Sequence, residues 1–86
     1  KTAKSRATDT LSPKQLALFG VLKQLRLTLA REENLPPYTI FSDKTLIDMC
    51  HKMPHTQQEM LDVNGVGENK FARYGEAFIR CITQNS

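Results

Sequence analysis

Eighty-six residues, 40% of them apolar, are enough for one small domain with its own core and too few for two. No apolar run approaches the roughly 18 residues that cross a bilayer, no basic start with an apolar stretch reads as a secretory leader, and two cysteines are too few for a disulfide framework. The net charge of +3 is uneven: residues 1–31 carry seven basic side chains against one acid, and residues 32–86 carry five against eight, so a polyanion meets the N-terminal third first.

The chain begins at Lys1 rather than Met and is expected to be a piece of something longer. Residues 1–10, KTAKSRATDT, lack apolar periodicity and read as a flexible basic linker ahead of a helical domain over 11–86. Ser12, Pro13 and Gln15 form a capping box with proline at the first helical position, and open a helix running to about Glu33. Leu18, Leu22, Leu25 and Leu29 share one face of it. Asn34 caps its end, and Pro36-Pro37 prevents continuation. Residues 35–41, LPPYTIF, read as an extended connector whose prolines hold Tyr38 stiffly.

A second helix starts at Ser42, with Phe41 and Leu46 as a hydrophobic staple and Asp43 at the positive end of the dipole. Leu46, Ile47, Met49 and Cys50 supply its buried side, and Met53-Pro54 ends it. Thr56 and Glu59 form another capping box before a short third helix. Asn64-Gly65-Val66-Gly67 breaks the chain, and a last helix covers Glu68 to Thr83 with Phe71, Tyr74, Phe78 and Ile82 on one face. Gly75 within it costs about 1 kcal/mol against Ala, which a close helix crossing would explain. No segment alternates like a strand. The fold class is all-α, a compact bundle of about five helices.

Two constellations carry candidate chemistry. Gly65-Val66-Gly67 between a short helix and a longer one resembles a helix-hairpin-helix turn, whose free N–H groups hold a phosphate with help from Lys70. Its bland counterpart is a tight corner with Val66 in the core. Lys23 and Arg26, three apart on the first helix, stand beside Tyr38, and single-stranded nucleic acid uses such a strip: cations track phosphates and the ring stacks on a base. The bland counterpart is a solvated helix face with Tyr38 as a lid over the leucines. Leu27 lies opposite the leucine stripe and hints weakly at a partner. Cys50, His51, His55 and Cys81 make a poor metal set, because adjacent Cys50 and His51 point about 100° apart. Both cysteines read as reduced, buried thiols. No phosphate-binding loop, nucleophile elbow or catalytic triad is present in the sequence, so no reaction is implied.

Leu18-Phe19-x-x-Leu22-Lys23-x-Leu25-Arg26, Asn34-Leu35-Pro36-Pro37-Tyr38-x-Ile40-Phe41, Asp43-x-Thr45-Leu46, Met53-Pro54, Glu59-Met60-Leu61, Val63 to Gly67, Lys70 and Arg73-Tyr74-Gly75 follow one another in that order. This series resembles the HRDC domain, the helicase and RNase D C-terminal module, and is most similar to its RecQ branch. The likeness spans about residues 16 to 82, and Pro-Pro-Tyr with Asn-Gly-Val-Gly at this separation is its specific part.

The resemblance implies a five-helix bundle serving an ATP-dependent 3′-to-5′ DNA helicase of replication, recombination and repair. Its role there is that of a non-catalytic accessory binding single-stranded or partly duplex DNA weakly, as a monomer in the bacterial cytoplasm with the nucleoid. It implies no cofactor in this domain, ATP and Mg²⁺ belonging to the motor. The DNA-binding patch it implies is Tyr38 with Lys23 and Arg26, extended to Lys14, Arg31 and Lys44; Lys70, Gly65 and Gly67 gain less. Gln24 and Leu27 stand where relatives often carry more basic residues, which implies a thinner patch. Two rivals share the fold: a module docking on the helicase core or a repair partner, and an RNA-positioning domain of an RNase D-type exonuclease.

Overall fold

The computed structural model describes residues 11–85, and the linker expected over residues 1–10 lies outside them. Helix α1 (Pro13–Glu33) starts as its sequence dictates: Gln15 N–H donates to Ser12 Oγ at 3.2 Å, and the Gln15 side chain accepts from Ser12 N–H at 2.8 Å. The Gln15 amide also donates to the Cys50 carbonyl, tying the start of α1 to a distant helix. At the other end Asn34 takes the left-handed conformation (φ 58°), and Leu35 N–H reaches back to the Ala30 carbonyl while Asn34 N–H reaches Arg31, a Schellman closure.

The connector is where the sequence reading needs correction. Pro37–Ile40 is not extended but a single helical turn, α2, with Pro36 as its N-cap and Pro37 at the first helical position. A proline φ near −65° suits that position as well as an extended path, and Thr39 closes the turn by donating its hydroxyl to the Pro36 carbonyl at 2.6 Å.

Ser42 caps α3 (Asp43–Lys52) by accepting from Thr45 N–H, and Met53 ends it with a left-handed φ of 49°. Thr56 caps α4 (Gln57–Leu61), but the Glu59 carboxylate accepts from His55 N–H at 2.8 Å, one residue before the N-cap a capping box requires. The chain then turns at Gly65 and enters α5 (Glu68–Lys70), a π-helical turn (Phe71–Gly75) and α6 (Glu76–Gln84). Every junction residue is right-handed helical, so these three pieces form one rod. Counted so, the described residues form five helical segments and no strand.

The core lies between α1, α3 and the rod. Leu22, Ile40, Leu46, Met49, Cys50, Met60, Phe78 and Ile82 are wholly buried, each large apolar side chain contributing about 1.5–3 kcal/mol. Phe41 is the centre of an aromatic trio, edge-on to Phe78 at 5.0 Å and to Tyr74 at 6.3 Å. Two packing details differ from the periodicity. The buried side of α1 is Leu18, Phe19, Leu22, Arg26 and Ala30, while Leu25 and Leu29 are only half-buried, because α2 and α3 cover the side on which Arg26 lies. At Gly75 the nearest neighbour is within its own rod: the Phe71 ring folds onto its Cα, where any side chain would collide with it.

Candidate nucleic-acid interface

Tyr38 is 70% exposed, the most exposed of the large apolar side chains on the surface, so it forms no lid over the leucines. Its position follows from the turn beneath it. Ile40 and Phe41 plunge into the core, which leaves the residue two places earlier on the outside of a one-turn helix. Around Tyr38 a shallow groove is lined by Arg26, Pro37, Ser42, Asp43 and Lys44.

Of the cations the sequence assigned to the patch, two line this groove, and they differ in character. Lys44, in the first turn of α3, is exposed and makes no ion pair among the described residues. Arg26 is only 9% exposed: one guanidinium nitrogen donates to the Phe41 carbonyl at 3.0 Å and pairs with Asp43 at 2.8 Å, and its buried Nε has no partner among the described residues. Its charge is therefore largely spent inside the fold. Asp43, read from sequence as a helix-dipole charge, is the groove residue that sequence reasoning missed; nothing in the spacing between residues 26 and 43 announces the pair.

Lys23 sits one turn before Arg26 on α1, exposed, with its ammonium 5.2 Å from the Phe19 ring centre. Arg31 is exposed but lies about 140° around the helix from Arg26. Lys14 is about 18 Å along the axis from Arg26 and lines a different groove, with Leu18, Met53 and Asn85. Neither lines the Tyr38 groove.

The glycine turn is built into α3. Gly65 adopts φ 92° with its Cα against the Thr45 hydroxyl, and Asn64 N–H donates to the Asp48 carboxylate at 2.8 Å. Gly67, with open space at its Cα, precedes α5 without a side-chain cap, and Glu68 follows it. That carboxylate suits the helix dipole and opposes a phosphate there. Val66 is buried, as a tight corner requires. Lys70 points elsewhere, donating to the Thr39 carbonyl at 2.6 Å with its ammonium 5.8 Å from the Phe41 ring centre.

A family model of the HRDC domain matches residues 15–82. The chain belongs to the HRDC domain family. Similar proteins include the ATP-dependent DNA helicase RecQ of Pasteurella multocida, 39% identical over 88 residues that cover 94% of this chain and 14% of that helicase. The ATP-dependent DNA helicase RecQ of Haemophilus influenzae is 44% identical over 68 residues, covering 79% of this chain and 11% of the helicase. The HRDC domain here thus spans about a seventh or less of the curated relatives' length. Among solved structures, D. radiodurans RecQ HRDC domain 3 superposes with a TM-score of 0.79 at 28% identity, covering 81% of this chain and 92% of that one.

As an HRDC domain the chain is an accessory, non-catalytic module. Its thiols suit that status: burial pushes Cys50 up to about 11 and raises Cys81, so both stay protonated at neutral pH. No three His, Cys, Asp or Glu side chains gather as metal ligands among the described residues, and no described helix is long and apolar enough to cross a membrane.

Proposed function

We propose that this HRDC domain is a DNA-binding accessory of a RecQ-type ATP-dependent helicase, holding single-stranded or partly duplex DNA at the Tyr38 groove. One observation carries the reading: a tyrosine 70% exposed on a well-anchored turn, in a groove shared with Lys44, which makes no ion pair among the described residues, while Lys23 lies exposed on α1 one turn before the groove residue Arg26. A base stacks on the ring for about 1–3 kcal/mol, and the lysines track phosphates without reading sequence. The described residues carry nine basic and eight acidic side chains, and three of the nine are in ion pairs, so binding is weak and salt-sensitive. ATP and Mg²⁺ belong to the motor of the longer parent, and the domain acts as a monomer on nucleoid DNA.

A second reading, docking on the helicase core or a repair partner, draws on α1, along which Leu16 and Val21 are exposed and Leu27 is half-buried. Fluorescence anisotropy of a labelled single-stranded oligonucleotide separates the two. Under the DNA reading Tyr38→Ala weakens binding about tenfold and added salt weakens it further. Binding indifferent to both, or none at low salt, favours docking, which Leu27→Asp would then disrupt. An RNase D-type role predicts tighter binding to an RNA oligonucleotide than to DNA of the same sequence.

A further inference from the structure

Two cations that the sequence assigns to phosphates reach instead for the backbone of the Tyr38 turn, one from α1 and one from the rod. From α1, Arg26 donates to the Phe41 carbonyl. From the rod, Lys70 donates to the Thr39 carbonyl, 31 residues away, and lies over the Phe41 ring. Thr39 and Phe41 flank the end of α2, where carbonyls lack helical partners and carry the negative end of a small dipole. Cations are the natural donors for such groups, and charge-assisted hydrogen bonds are the stronger kind. Lys70 is placed to do this because the Gly65 turn is locked to α3 through Thr45 and Asp48, which fixes where the rod begins.

We propose that Lys70 is a positioning residue for Tyr38, working with Arg26 as a brace from two helices, and that it contacts no phosphate. The brace joins the two most specific sequence motifs into one device: the Asn-Gly-Val-Gly turn sets the rod, the rod delivers Lys70, and Lys70 holds the Pro-Pro-Tyr turn. An exposed ring on a braced turn loses little freedom when a base stacks on it. This inference rests on the DNA-binding reading for its consequence, but not for its geometry.

The test uses the 86-residue chain as wild type, Lys70→Met, which keeps most of the buried stem, and Lys70→Arg, which keeps the donor. Hydrogen exchange at the Thr39, Ile40 and Phe41 amides reads the brace without DNA. Anisotropy with a labelled oligothymidylate across a salt series reads its consequence. Lys70→Met should speed exchange at those amides and weaken binding about 3- to 10-fold, with the logarithmic salt slope unchanged. Lys70→Arg should restore much of both. A slope shallower by about 0.7 in Lys70→Met, with exchange unaltered, would make Lys70 a phosphate contact and overturn the proposal. Should the wild type bind no DNA, the DNA reading fails while exchange still decides the brace: unaltered protection in Lys70→Met refutes it, faster exchange reversed by Lys70→Arg upholds it.

Discussion

One nitrogen of Arg26 serves both the Asp43 carboxylate at 2.8 Å and the Phe41 carbonyl at 3.0 Å, yet the two charged partners sit in different media. The Arg26 side chain is 11% exposed and that of Asp43 66%. Removing the arginine strands a buried carbonyl and opens the packing around it, whereas removing the carboxylate's charge loses an interaction already screened by water.

Arg26→Met is therefore expected to cost about 2–3 kcal/mol in urea unfolding, and Asp43→Asn less than about 1 kcal/mol. Asp43→Asn should also tighten single-strand binding about twofold, since it removes the negative charge from the groove that holds Tyr38 and Lys44. Equal losses of stability from the two substitutions would show that the pair, not the carbonyl contact, holds this corner.

Gly65 combines a φ of 92° with a Cα pressed on the Thr45 side chain. Gly65→Ala meets both a strained backbone and a collision with a buried neighbour, for an expected loss of about 2–4 kcal/mol. Adding Thr45→Ala removes the collision and leaves the strain of about 1–2 kcal/mol, so the double-mutant cycle should show strong favourable coupling. Additive losses would mean that the turn moves away from α3 instead of colliding with it.

Asp48 links α3 to the glycine turn. Burial raises its pKa, but the Asn64 N–H, the Lys52 ammonium at 3.2 Å and the His51 charge together outweigh burial and leave it below the ordinary 3.8. A folded value below the unfolded one means that stability is fully present above pH 3.8 and is lost as pH falls through the folded value. Asp48→Asn should thus be less stable than wild type by about 1 kcal/mol at neutral pH, with the gap closing only below about pH 4. Thermal melts of both proteins from pH 8 to 2.5 follow that gap; one that closes between pH 5 and 7 would assign the effect to another group.

The thiols should separate by access. Cys50 is wholly buried and raised to about 11, while Cys81 is half-buried, with the Asn85 amide 3.9 Å from its sulfur. At pH 8 a disulfide reagent should modify one thiol per chain directly, Cys81, and reach Cys50 only at the rate of unfolding. Mild urea should speed the second phase and leave the first nearly unchanged. Cys81→Ser should abolish the fast phase.

The sequence by itself determined what depends on neighbours along the chain. Ser12-Pro13-x-Gln15, Ser42 and Thr56 fix helix starts, because their oxygens reach N–H groups three residues on, and Asn34 and Met53-Pro54 fix the ends of α1 and α3. The order of helices and most of the core were legible for the same reason, whereas Tyr38 was left open between a lid over the leucines and an exposed ring, and its 70% exposure came from the tertiary structure. Tertiary structure decided everything that rests on contacts across the chain. The prolines allowed both an extended path and a helical turn, and the pull of Ile40 and Phe41 into the core chose the turn. A lysine or arginine looks alike in sequence whether it faces water or a carbonyl. Only packing α3 and the rod around α1 brought Asp43 and Phe41 to Arg26, and Thr39 to Lys70, turning two surface charges into internal supports.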